Sequence, residues 1–88
     1  MRTKYIVGEL TVPAGSVLGA VAFPEYVEHA HMAKAFEPGE DNLISAGFFQ
    51  VIDGEVHPYG ESVGLGLASR LEDAQIIAKA IGLHPRSR

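Results

Sequence analysis

Two apolar runs, one ending at Ile52 and one starting at Glu55, flank the dipeptide Asp53-Gly54. That dipeptide is among the strongest short-range hairpin signals, because a type I′ turn requires positive φ at both central positions. With these two residues as the turn, Ile52 faces Glu55, Val51 faces Val56, Gln50 faces His57 and Phe48 faces Tyr59. Pro58 cannot donate to a ladder, which predicts that the second strand lies at a sheet edge or is bulged there. Gly60-Glu61 reads as a further turn and Ser62 to Leu67 as a short strand. Ser69-x-x-Glu72 then has the pattern of a capping box opening an amphipathic helix. Leu71, Ala74, Ile77, Ala78 and Ile81 form its buried stripe, and Gly82 suits the left-handed position that closes it.

The first half is less sharply patterned. Lys4 to Val12 alternates, with Ile6, Gly8, Leu10 and Val12 on one side and Tyr5, Val7, Glu9 and Thr11 on the other. This predicts a strand with one face mostly buried. Pro13-Ala14-Gly15-Ser16 is a turn by composition. Val17 to Phe23 is a continuous apolar run with β-branched residues, which suits a central strand or an extended connection, although Gly19 weakens it as a strand. Pro24 fits the first position of a helix, and Glu25 and Glu28 fit its positive end. That helix should stop near Glu37, before Pro38-Gly39.

A chain of 88 residues is one domain near the small end of what folds alone. The expected domain spans 1–82, with 83–88 a flexible tail. Without cysteine there is no disulfide framework and no thiolate metal site. The hydrophobic fraction is 47%, more than so small a body can hide, so part of it is expected to close in a homo-oligomer, a dimer first. No stretch reaches the roughly 20 apolar residues a spanning helix needs. Gly8, Glu9 and Thr11 interrupt any signal-like core near the N-terminus, so the expected location is cytoplasmic and no membrane partner is expected.

Net charge is −4 and unevenly spread. Between Glu25 and Glu61, eight acids stand against Lys34 alone. An acidic middle repels phosphate backbones, so nucleic acid is not an expected partner, whereas a basic protein surface would suit Glu37, Glu40 and Asp41.

Catalytic and metal patterns are weak. His29 and His31 are two residues apart, which on a helix places them about 200° from each other, not at ligand spacing. His29 falls on the apolar side and reads as a hydrogen-bonded core histidine. Gly64-Leu65-Gly66-Leu67-Ala68-Ser69 imitates a dinucleotide fingerprint, but no strand follows the helix and no acid stands about 20 residues on. A weaker reading survives in which Ser69 and Arg70 at the helix start hold a small anion, with His29 lining the pocket. Ser62, His57 and Glu61 lack the elbow and oxyanion hole of a triad. No catalytic residue, metal site or cofactor is expected.

The stretch Ser45-Ala46-Gly47-Phe48, then Tyr59-Gly60-Glu61-Ser62, then Gly64-Leu65-Gly66-Leu67-Ala68-Ser69-Arg70-x-Glu72-Asp73 resembles a group of short, uncharacterised proteins of bacteriophages and prophages. The resemblance covers the second half well and the first half loosely, with Leu71 where the group carries proline. It implies a phage or prophage origin and no particular activity. The expectation from these readings together is an α+β fold in the order β-β-α-β-β-β-α, a four- to five-stranded mainly antiparallel sheet with two helices on one face. The expected function is a non-enzymatic protein that binds a host or phage protein. The alternative is a small-ligand or anion-binding module at the start of the second helix.

Overall fold

The computed structural model describes residues 2–36 and 42–83. It is α+β: a four-stranded antiparallel sheet, a separate two-stranded hairpin and two helices. The strands are β1 (Thr3–Val12), β2 (Gly15–Pro24), β3 (Leu43–Ile52), β4 (Glu55–Tyr59), β5 (Glu61–Ser62) and β6 (Leu67–Ala68). Helix α1 (His29–Met32) runs into a 3₁₀ turn at Ala33–Ala35, and α2 is Asp73–Ala80. The main sheet has the order β2-β1-β3-β4.

The Asp53-Gly54 turn is present, with φ of 54° and 79°. The register is the one the dipeptide dictates: Ile52 opposite Glu55, Val51 opposite Val56, Gln50 opposite His57, Phe48 opposite Tyr59. Pro58 lies on β4, which is an edge strand.

Strand β1 departs from expectation. It pairs with both β2 and β3, and Tyr5, Ile6 and Val7 are all fully buried. Both of its faces are therefore covered. Tyr5 and Val7 pack with Phe49, Val56 and Ile77 under α2. Ile6 packs with Phe23, Ala33, Phe36 and Ala46 under α1, the 3₁₀ turn and the β5–β6 hairpin. The two helices thus cover opposite faces of the sheet, not one. The pairing of β3 with β1 shifts register at Val7/Gly8, so Ile44 is the extra residue of a bulge and packs on the α2 side.

The first helix is shorter than Pro24 to Glu37. Pro24 ends β2, opposite Thr3, and Glu25 is held by Arg2 through its backbone N–H and its guanidinium. Strand pairing and this clamp hold Pro24 in the sheet, a turn closed by the Val27 N–H on the Pro24 carbonyl at 3.1 Å follows, and the helix starts only at His29. The Ser62 to Leu67 segment is not one strand but the two arms of a hairpin, turned at 63–66.

Helix α2 also starts late. Leu71 precedes it and is 88% exposed, so the buried stripe is Ala74, Ile77 and Ala78 with Ile76 beside them. Its end is a Schellman motif: Gly82 has φ 77°, its N–H reaches the Lys79 carbonyl, and the Leu83 N–H reaches Ala78. Leu83 packs on the core, so the domain includes it. The tail expected beyond it, 84–88, lies outside the described residues.

From β6 the chain must pass round to the other face to form α2, and it does so beside Gly47. A Cβ there would sit 2.8 Å from the Tyr59 carbonyl, 3.1 Å from the Gly60 carbonyl and 3.2 Å from Ser69 Cβ. The Ser69 N–H bonds the Gly60 carbonyl at 3.0 Å and closes the crossing. Gly47→Ala gains up to about 1 kcal/mol by restricting the unfolded chain. The clash is with backbone, which cannot rotate away, and such overpacking costs about 1–3 kcal/mol. The variant is expected to be the less stable protein, seen as a lower urea midpoint at unchanged slope.

Candidate functional site

The most developed polar cluster joins β1 to the start of α2. Asp73 is fully buried. Its Oδ2 accepts the Tyr5 hydroxyl at 2.5 Å and the Arg70 backbone N–H at 2.9 Å. Its Oδ1 accepts Arg70 Nε at 3.0 Å and Nη2 at 2.8 Å. The helix begins at Asp73 with Glu72 at its N-cap and no side-chain bond there, three residues past the expected cap Ser69, and the Asp73 carboxylate reaches back across the preceding turn to the Arg70 N–H. Burial, and then the neighbouring carboxylate, push the Tyr5 hydroxyl far above the ordinary tyrosine range. Every oxygen of Asp73 is engaged by side chains or backbone of the same cluster, and the arrangement is a structural clamp.

The three residues expected to hold a small anion, Ser69, Arg70 and His29, have different neighbours. Arg70 is held by Asp73 and, through Nη1, by Glu72 at 3.4 Å. Its charge is therefore largely neutralised by two carboxylates. Ser69 lies against Gly47 at the crossing. His29 sits on the α1 side, and its Nε2 donates to the Gly47 carbonyl at 2.9 Å. A carbonyl only accepts, so Nε2 carries the proton. Ser69 and His29 both meet Gly47, but Arg70 turns away to Asp73.

His29 is the core histidine that its place on the apolar side suggested: it is 6% exposed. Its ring stands edge-on to Phe23 and Phe48, at 5.3 and 5.8 Å between centroids. Burial first, and then the charge of Lys4, lower its pKa from 6.5 against the pull of the Gly47 carbonyl. Arg2 lies 4.1 Å over the Phe48 ring while pairing with Glu25. Ser62 is buried with its Oγ accepting the Leu65 N–H, and His57 pairs with Glu55 at the surface, so no triad forms among them. Glu37, Glu40 and Asp41 lie outside the described residues. Among the described residues no group of three or more His, Cys, Asp or Glu could hold a metal ion. No helix among them is long and apolar enough to cross a membrane.

What remains open is the edge of the sheet at β2. This strand pairs with β1 from Thr3↔Pro24 to Val12↔Gly15 without a bulge, and among the described residues nothing pairs with its other side. It carries no charged residue, and its one proline is its last position. Val17 and Leu18 are each 49% exposed. Natural edges are blunted with lysine, proline, bulges or short length. The opposite edge, β4, follows that rule with five residues, Pro58 and charged Glu55. Beside β2, Leu18, Ala20, Ile76, Lys79 and Ala80 line an open groove of about 470 Å³. The apolar run Val17 to Phe23 suggested a central strand or an extended connection. It is an edge, and its composition is that of a strand meant to have neighbours on both sides.

No protein-family model, curated protein or solved structure matches this chain.

Two titrations follow from the buried groups. Above pH 10 the unfolded chain releases the Tyr5 proton that the folded protein keeps, so stability falls as pH rises from there. Tyr5→Phe should cost about 1.5–3 kcal/mol at neutral pH, the worth of a hydrogen bond to a charged group, and flatten that alkaline decline in urea titrations. For His29 the sign is opposite. Below 6.5 the unfolded chain takes up a proton more readily than the folded one, so stability present above that pH is lost as pH falls. His29→Gln, which keeps an N–H for the Gly47 carbonyl, is expected to remove part of this acid slope in thermal melts between pH 7 and 5.

Proposed function

We propose that the protein is a small non-enzymatic binding protein that takes its partner by strand addition at β2. The observation that carries this is the contrast between the two sheet edges: β4 is short, charged and interrupted by proline, and β2 is long, uncharged and continuous. A partner strand would bond the free backbone groups of β2, and the exposed Val17 and Leu18 would supply apolar contacts. The polar clusters favour the same reading. Asp73, Arg70 and His29 are each spent on holding the fold together. A phage or prophage origin, which the resemblance of the second half implies, fits a protein whose work is to occupy another protein. The partner would be a host or phage protein or another copy of the chain.

Leu18 and Ala22 are both exposed on β2, so lysine is tolerated there by the fold. The double variant Leu18→Lys, Ala22→Lys is expected to keep the wild-type circular dichroism spectrum. Immobilised on beads in a bacterial lysate, it should recover at least about tenfold less of any bound protein than the wild type does, because charge on an edge opposes pairing. Equal recovery by the two would overturn the edge as the binding surface.

A further inference from the structure

The edge is complementary to itself. In one continuous antiparallel sheet, directly opposed residues share a face, so a twofold axis relating two β2 strands must pass through a residue position. With the axis at Ala20, near the middle of β2, Leu18 of one copy stands opposite Ala22 of the other, a large side chain against a small one. Val17 stands opposite Phe23, and Gly19 opposite Val21. Pairs of an aromatic with a β-branched residue are among the favourable cross-strand combinations. The two large side chains that β2 leaves half exposed, Val17 and Leu18, therefore both gain cross-strand neighbours.

Charge points the same way. Like charges directly opposed across a twofold axis would repel, and from Gly15 to Pro24 there are none. Phe23 is already 4% exposed within the cluster under α1, so a Val17 arriving beside it extends an existing core. The hydrophobic fraction of 47% asks for such a closure in a body this small.

We infer that the strand added to β2 is β2 of a second copy, antiparallel about a twofold axis through Ala20, making one eight-stranded sheet from two four-stranded ones. This rests on the strand-addition reading and names its partner. The chain has no cysteine, so single cysteines report on the pairing without interference. At the axis the two copies of residue 20 face each other with Cβ atoms about 4.5–5.5 Å apart, at the margin of disulfide reach. Residue 17 and its copy are six positions out of register, about 20 Å apart at ~3.4 Å per residue.

The experiment has two arms on the full chain. In the first, sedimentation velocity across micromolar concentrations should give twice the 9.4 kDa chain mass for the wild type. The lysine double variant should raise the dimer dissociation constant at least about tenfold while keeping its fold. In the second, mild oxidation should cross-link Ala20→Cys at least about tenfold faster than Val17→Cys. Random collision would favour the more exposed position 17, so the order of rates separates the two causes. A monomer at all concentrations would overturn the self-pairing. So would a dimer indifferent to the lysines, or cross-linking no faster at 20 than at 17. If the chain is monomeric yet still captures a protein that the lysine variant does not, self-pairing fails and strand addition stands. If neither self-association nor capture depends on β2, both fail.

Discussion

The hydrogen bond from Tyr5 to Asp73 is the interaction on which the arrangement depends. It spans 68 residues and joins an inner strand of the sheet, β1, to the first residue of α2. Burying a carboxylate is costly unless its oxygens are satisfied, and Asp73 is satisfied by Tyr5 on one side and Arg70 on the other. Each partner also has a second role. Tyr5 is part of the core with Phe49, its ring edge-on at 6.1 Å, and Arg70 donates its backbone N–H to Asp73 as well as its guanidinium. The cluster therefore sets where α2 begins and how it lies on the sheet.

Much of the fold was legible where a residue has one physical use. Asp53-Gly54 defined a hairpin and its register because few residues take positive φ. Pro58 marked an edge because it has no N–H to give. Gly82 closed a helix for the same reason of backbone freedom. Readings failed where tertiary contacts chose between local options. Pro24 can start a helix or end a strand, and β1 together with Arg2 decided for the strand. Ser69-x-x-Glu72 has the pattern of a cap, but Tyr5 and Arg70 draw in the Asp73 carboxylate and the helix begins at Asp73 instead. The opposite placement of the two helices was hidden because alternation in β1 reads as one buried face, although here its two sides are both apolar at Tyr5, Ile6 and Val7.

The candidate sites divide along the same line. His29 was readable as a core histidine from its position on the apolar side of its segment. Arg70 looked available because sequence does not show that Asp73 folds back on it. The bare edge of β2 was present in the sequence as an uncharged run, but it pointed to the sheet interior. Only the strand order β2-β1-β3-β4 turns that composition into a surface. The two edges of one small sheet are thus chemically unlike, one blunted in the usual ways and the other not.

The crossing at Gly47 also has a consequence in time. Because the chain reaches the α2 side only after passing that point, the cover for Tyr5 and Val7 is the last element made. At synthesis rates of about 5–20 residues per second, the 68 residues between Tyr5 and Asp73 correspond to roughly 3–14 s. During that interval the nascent N-terminal hairpin has an uncovered face beside an unguarded edge.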